Sequence, residues 1–126
     1  MNAALTARLV AAGRLGFGAA LILAPGRVTA PWLGRDAHRA GTQVISRGLG
    51  ARDLVLGAGG LAVPEAELRP WVAAALVADT ADLVATVAAG DSLPLTGRVL
   101  VGAVASGGAL LGAIALAGLR AQPLSA

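Results

Sequence analysis

Four long apolar stretches alternate along the chain with short polar ones, and they cover residues 5–23, 44–63, 71–89 and 99–119. A helix needs about 20 apolar residues to cross a bilayer, and each stretch comes close to that length. The last stretch is the clearest, because it contains no charged side chain. Long helices joined by short connections are typical of antiparallel bundles. We therefore predict an all-α, up-down-up-down integral membrane four-helix bundle that forms one transmembrane domain over residues 1–126.

The connections carry most of the remaining polar residues. Each of the first three apolar stretches is followed by a proline, which ends helices, and Pro123 is predicted to close the last one. The first connection, 24–42, is the most polar part of the chain, and a short interfacial turn of helix is predicted over 28–33. Trp32 lies in this interfacial turn and Trp71 lies at the start of the third stretch, so we expect them to sit at the two headgroup layers.

Charged residues lie near the middle of three of the four stretches. Arg14 is in the first, Arg52 and Asp53 are in the second, and Asp79 and Asp82 are in the third. A charged residue at the centre of a membrane helix costs roughly 2.5–3.5 kcal/mol on insertion, so these side chains should face one another rather than lipid. Their similar depth predicts a buried Arg–Asp cluster between three helices.

Helical periodicity places these charges on faces of small or polar residues. The faces on the first three helices are Ala7, Ala11, Arg14 and Gly18; Ser46, Gly50, Asp53, Gly57 and Gly60; and Ala75, Asp79, Asp82 and Thr86. The fourth helix offers two pairs of small residues, Gly102 with Ser106 and Gly108 with Gly112. Small residues let helix backbones approach closely in membranes, so we predict that these faces pack together.

The predicted cluster has three carboxylates and two guanidinium groups, which gives a formal charge of −1. Three ways of balancing it are open: one aspartate is protonated, Arg47 joins the group, or a cation or cationic ligand completes it. For the first, we expect Asp79 and Asp82 to share the proton, because they are near neighbours of like charge. The candidates are Asp53, Asp79 and Asp82 for catalysis, and Arg14, Arg52, Asp53, Asp79, Asp82 and Thr86 for ligand binding. No metal site and no cofactor is predicted.

Composition favours a membrane protein over a soluble helical bundle. Only 13% of the residues are charged, against about 25% in soluble domains, and 56% are hydrophobic. All the basic residues are scattered arginines without interleaved aromatics, so the net charge of +3 does not indicate a nucleic-acid partner. The absence of cysteine excludes disulfides and thiolate sites. The arginine distribution predicts a multi-pass protein of the cell membrane with both termini outside the cytoplasm.

The charged helices carry motifs that resemble a known family. These are Arg-Leu-Gly at 14–16, Gly-Ala-Arg-Asp-Leu-Val-Leu-Gly at 50–57, and Trp71 followed by Ala-Asp-Thr-Ala-Asp at 78–82. Together they resemble a family of small uncharacterised integral membrane proteins of bacteria and fungi, which implies a four-helix membrane fold and no settled activity. Arg-Leu-Gly-Phe-Gly at 14–18 is also loosely similar to DoxX-like membrane proteins. The Asp-x-x-Asp helix does not fit that comparison, so we infer no redox chemistry.

Two functional hypotheses follow from these patterns. The first is a non-enzymatic membrane component, a homo-oligomer or an accessory subunit that packs on a membrane protein partner through its glycine-rich faces. The second is a membrane-embedded enzyme or carrier for a small lipophilic molecule. In that case the three aspartates handle protons or bind a polar group, while Arg14 and Arg52 orient it. Because the sequence contains no recognisable catalytic set, it favours the first hypothesis.

Overall fold

The computed structural model describes residues 2–120, and every regular element in that range is helical. The five α-helices are α1 (Ala3–Leu23), α2 (Pro25–Leu33), α3 (Ala40–Ala62), α4 (Leu68–Ala89) and α5 (Leu95–Arg120). They are connected by 3₁₀ turns at Gly34–His38, Glu65–Glu67 and Gly90–Ser92. The predicted all-α class is confirmed. Pro123, predicted to close the last helix, lies outside the described residues.

The four long helices begin two to four residues before the predicted stretches, because helices also accept the polar residues that flank an apolar run. α4, for example, includes Pro70 in its first turn, where the missing N–H of proline is not needed. The first connection contains a helix of nine residues, longer than the turn predicted over 28–33. Pro25 occupies its first position, where the fixed φ of proline favours a helix.

Three helical stretches are long and apolar enough to cross a membrane: Ala3–Leu23, Glu65–Ser92 and Leu95–Leu119. Four membrane-spanning stretches were predicted, and α3 is the helix that does not meet the criteria of length and hydropathy together. It has 23 residues, which is sufficient length, but Arg47, Arg52 and Asp53 lower its hydropathy. A membrane crossing by α3 therefore depends on neighbouring helices that pair its charges.

α1 and α3 form the most extensive helix contact in the described part of the chain. A Cβ atom added at Gly18 would lie 2.6 Å from the carbonyl oxygen of Gly50, and one added at Gly57 would lie 2.6 Å from that of Ala11. The two backbones thus touch without intervening side chains, as the sequence predicted. The buried residues of α3 are those of its predicted face, Ser46, Gly50, Asp53, Gly57 and Gly60.

Two arginines join the ends of this helix pair reciprocally. Arg8 of α1 donates hydrogen bonds of 3.2, 2.8 and 2.9 Å to three carbonyl oxygens of residues 60–63, at the end of α3. Arg47 of α3 donates to the carbonyl oxygen of Ile22, at the end of α1. The last carbonyls of a helix lack partners within it and form the negative end of its dipole, so a guanidinium group stabilises them. α1 and α3 are therefore antiparallel, and each caps the other.

Replacing Arg8 with glutamine should loosen the last turn of α3, because glutamine reaches fewer carbonyl oxygens and carries no charge. We expect the change to reduce local stability by about 1–2 kcal/mol. Hydrogen–deuterium exchange of the protein in nanodiscs should then become faster at residues 60–63 and stay unchanged at 46–53. Arg27→Gln, which removes an exposed arginine of α2, is the control. Wild-type exchange at 60–63 in Arg8→Gln would show that the cap contributes nothing.

α4 packs on α5 through Gly108, which faces Asp79, and through Gly112. The predicted packing pair of Gly102 with Ser106 is wrong: Ser106 is exposed, and no described atom outside the helix backbone lies within 4 Å of a Cβ at Gly102. Small residues recur at helical spacing along α5, but only some of them, such as Gly108 and Gly112, contact another helix. The buried positions of α5 include Ala105, Gly112, Ala115 and Leu119.

The two tryptophans make close contacts at opposite ends of the helices. The ring of Trp71 lies on Gly59, where an added Cβ would come within 2.1 Å of it. The backbone of Trp32 lies equally close to Gly97. Both tryptophans are half-buried against other helices, so each joins two helices in addition to any contact with lipid. The main apolar core consists of Ala4, Ala7, Leu68, Val72, Ala115 and Leu119.

Candidate functional site

Five charged side chains from α1, α3 and α4 form one continuous chain of ion pairs. Arg14 binds Asp53 at 2.8 Å and also pairs with Asp79. Arg52 binds both carboxylate oxygens of Asp82, at 3.0 and 2.7 Å, and contacts Asp53 at 3.2 Å. The order is Asp79, Arg14, Asp53, Arg52, Asp82, so the charges alternate and a carboxylate stands at each end. The predicted buried Arg–Asp pairing is confirmed.

Arg14 is the centre of this ion-pair chain and joins three helices. It lies on α1, its partner Asp53 lies on α3, and its partner Asp79 lies on α4. It also donates a 3.1 Å hydrogen bond to the carbonyl oxygen of Ala75, one turn before Asp79. Near its start, α4 also packs on α1 through the apolar core, which joins Leu68 and Val72 to Ala4 and Ala7. The ion pairs add a polar connection between α4 and the α1–α3 pair, farther along α4.

The structure does not place every predicted candidate in the cluster. Arg47 binds the end of α1 instead, so the proposal that it balances the charge is wrong. The hydroxyl of Thr86 donates to the carbonyl oxygen of Asp82 at 2.7 Å, within its own helix. Asp79 and Asp82 bind different guanidinium groups, and a proton shared between them stays a prediction. Protonation of one aspartate and charge balance by a cation are the alternatives that the contacts leave.

A cavity of about 390 Å³ lies next to the ion-pair chain. Its wall is largely apolar, and four charged residues of the chain, Arg14, Asp53, Asp79 and Asp82, form its polar end. Sites for small molecules usually combine an apolar wall with a few polar groups, and this volume is in their usual range. The other lining residues come from α1, α2 and α5: Val10, Gly13, Phe17, Val28, Thr29, Trp32, Leu100, Val101, Val104, Ala105 and Gly108.

The cavity opens sideways between the helices. Phe17 of α1 and Val104 of α5 both line it, yet they are 50% and 67% exposed on the outer surface. The first turns of α1 are joined to the last turns of α5, where a Cβ at Gly118 would lie 2.6 Å from that of Ala3. At the other end of α1, α2 contributes lining residues between α1 and α5. A molecule can therefore enter from the apolar outer surface.

Two buried donors next to the cavity have no acceptor within residues 2–120: the indole nitrogen Nε1 of Trp32 and the guanidinium nitrogen Nε of Arg14. Sequence reasoning did not identify Trp32 as a site residue, and it also missed Phe17. The signal for Phe17 was available, because it follows Arg14 by three residues and so lies on the same side of α1. Trp32 had no such signal, because its position depends on how α2 folds back.

Gly108→Ala should disturb the ion-pair chain, because the new Cβ would lie 2.6 Å from Oδ2 of Asp79. Alanine gains about 0.5–1 kcal/mol of helix propensity over glycine. We nevertheless expect a net loss of about 1–2 kcal/mol, because Arg14 holds the carboxylate in place and overpacking is costly. Chemical unfolding in detergent micelles would measure it.

The neighbouring substitution Gly107→Ala is the matched control, since a Cβ there meets no described atom within 4 Å. It should be neutral or slightly stabilising. In an Asp79→Ala background, Gly108→Ala should also lose its cost, because the clashing oxygen is gone. Equal effects of Gly108→Ala in both backgrounds would contradict the close contact.

The aspartates do not form a metal site: no three His, Asp or Glu side chains among residues 2–120 are grouped as metal ligands. The fold and the site therefore define an all-helical protein with three helices of membrane length, a buried Arg–Asp chain and an adjacent apolar cavity. No family model, curated protein or solved structure matches the chain. Its function therefore has to be inferred from the site.

Proposed function

We propose that this is an integral membrane protein whose four long helices span the bilayer as an up-and-down bundle, with α2 at the interface. The antiparallel contact of α1 with α3 supports this arrangement, as do the three helices of membrane length. α3 can join them because Arg52 and Asp53 are paired by other helices. Large apolar side chains on the outer surface would meet lipid, among them Leu9, Val55, Val77, Val104 and Leu110.

Both termini are proposed to lie outside the cytoplasm. The side of the molecule that carries α2 also carries Arg27, Arg35, Arg39 and Arg98 in or next to its connections, and Arg47 lies about two turns into α3. Arginine is enriched in cytoplasmic connections, whereas acidic residues contribute little to orientation. This side is therefore assigned to the cytoplasm.

Within the membrane, the protein is proposed to bind a small lipophilic molecule with a polar group, as a carrier or an enzyme. The observation that supports this is the cavity of about 390 Å³, which combines an apolar wall with the ion-pair chain at one end and opens on the outer surface. A lipophilic molecule would enter from the bilayer, and its polar group would lie against the charged end. Asp53 and Asp79 would contact that group, and Arg14 would position them.

The alternative of an oligomeric or accessory component was motivated by faces of small residues. Gly18, Gly50 and Gly57 are used inside the chain, in the contact between α1 and α3. Gly108 is used against Asp79. Gly102 and Ser106 are left without a neighbour among the described residues and stay available to a partner. The cavity, with its apolar wall and charged end, supports ligand binding better than this one pair supports a partner.

The test is native mass spectrometry of the protein released from its own lipids, with extraction and identification of bound small molecules. A non-lipid mass should accompany the wild-type protein. Ala105→Phe should abolish it, because Ala105 is buried and lines the cavity. Ala103→Phe introduces the same ring at an exposed position outside the cavity and should retain the ligand. A ligand-free wild type, or a complex with another protein, would contradict the proposal.

A further inference from the structure

We propose that the ligand is a lipophilic monocation, an amine or quaternary ammonium compound, whose positive nitrogen lies between the carboxylate of Asp79 and the aromatic rings of Trp32 and Phe17. This inference rests on the proposed function and specifies the chemical class that the cavity accepts.

The charge of the ion-pair chain is the first reason. Two guanidinium groups alternate with three carboxylates, so the fully ionised chain has a net charge of −1. Arg47, the arginine that sequence reasoning offered as a further partner, binds the end of α1 instead. An unbalanced charge away from water is strongly unfavourable, and a bound cation removes it without the need to protonate one of the carboxylates.

The position of Asp79 is the second reason. Asp79 is one end of the ion-pair chain, and it contacts Arg14 through its oxygen Oδ1. Its other oxygen, Oδ2, lies beside Gly108, which lines the cavity, and the absence of a side chain at this glycine leaves that oxygen room. Asp82, at the opposite end, has both oxygens bound to Arg52. A cation in the cavity would therefore meet Asp79 first.

The aromatic residues are the third reason. The chain has only one phenylalanine, two tryptophans and no tyrosine, yet Phe17 and Trp32 both line this cavity. The face of an aromatic ring attracts cations, tryptophan most strongly, and quaternary ammonium groups are commonly bound in this way. A carboxylate and two aromatic rings around an apolar space form a suitable environment for a lipophilic ammonium ion.

The two unpaired donors, Nε1 of Trp32 and Nε of Arg14, favour the opposite ligand, a neutral molecule with an acceptor oxygen. The indole N–H of Trp32 is neutral, and the charge of Arg14 is already paired by Asp53 and Asp79, so an unsatisfied N–H at either residue costs less than an uncompensated charge in the same surroundings. The net charge of the ion-pair chain therefore favours a cationic ligand over a neutral one. A neutral ligand with an acceptor oxygen is the alternative that the experiment has to exclude.

The test compares three probes with the same phenylpropyl group on the full-length protein in phosphatidylcholine nanodiscs. They are the phenylpropyl-trimethylammonium ion, its neutral isostere with a tert-butyl group in place of the ammonium, and a neutral analogue with a methyl ketone at that end. Binding to protein-free nanodiscs is subtracted for each probe. The cation should bind about tenfold more tightly than either neutral probe.

Asp79→Asn should remove this preference while the neutral isostere binds as before. Asp91→Asn is the matched control, because it removes one carboxylate that is 98% exposed, outside the cavity. The comparison of probes on the wild type decides the question even if Asp79→Asn does not fold.

Equal or tighter binding of the tert-butyl or ketone probe would overturn the cation inference and leave the lipophilic pocket standing. The absence of saturable binding by any probe would overturn both the inference and the proposed function. Displacement of the cation by Ala105→Phe, but not by Ala103→Phe, would place the bound probe in the cavity.

Discussion

Arg14→Gln is expected to destabilise the protein by about 3–5 kcal/mol, the usual cost of removing one partner from a buried ion pair. Arg14 is 9% exposed and pairs with both Asp53 and Asp79, so its loss leaves two carboxylates without their main cation. It also removes the ion pair and the hydrogen bond by which α1 holds the middle of α4. Unfolding by a denaturing detergent in mixed micelles, followed by circular dichroism, would measure the free energy.

Arg98→Gln is the control for this prediction. Arg98 also pairs with one aspartate at 2.7 Å, but that partner, Asp91, is almost fully exposed, and exposed pairs contribute little. The two substitutions thus make the same chemical change in two environments. If Arg14→Gln costs no more than Arg98→Gln, then water or headgroups reach the cluster and its charges are not buried in the way the structure indicates.

The helical faces and the cluster could be predicted because both follow from strong local constraints. A charged residue in an apolar span is so costly that Arg14, Asp53 and Asp79 had to meet one another. The spacing of glycines around Asp53 then indicated which side of α3 packs closely on a neighbouring helix, and the structure shows that this neighbour is α1. Periodicity and the cost of burying a charge were sufficient, without knowledge of the tertiary structure.

The pairing of individual charges and the cavity could not be predicted, because both depend on contacts between distant parts of the chain. Which carboxylate binds which guanidinium is decided by the depth and rotation of α4, and sequence reasoning paired Asp79 with Asp82 where the structure separates them onto Arg14 and Arg52. The cavity exists because α2 folds back and places Trp32 between α1 and α5. Nothing in the residues of 24–42 taken alone indicates that position.

A structural role and a binding role for the cluster make different predictions for its removal. Buried ion pairs can often be replaced by apolar residues of similar volume with no loss of stability, although removal of one partner is costly. If the cluster serves only to hold helices together, an apolar replacement should perform the same task. If it is retained for a ligand, an apolar replacement should fold and fail to bind.

The triple variant Arg14→Met, Asp53→Val, Asp79→Val tests this difference. It removes one positive and two negative charges, and the remaining Arg52 and Asp82 balance each other through two hydrogen bonds. We expect its free energy of unfolding to lie within about 1 kcal/mol of the wild type or above it, several kcal/mol above Arg14→Gln. Binding of the ammonium probe should be lost, while Asp91→Asn keeps it.

Stability and probe binding of the triple variant must be measured together to distinguish a structural role of the cluster from a binding role. Wild-type stability without binding would mean that the charges are maintained for the ligand, since the fold does not need them. Stability as low as that of Arg14→Gln would mean that the ion pairs select the helix pairing, because apolar side chains of similar size do not replace them. Retained binding in the triple variant would exclude Asp79 as the group that recognises the cation, whatever the stability.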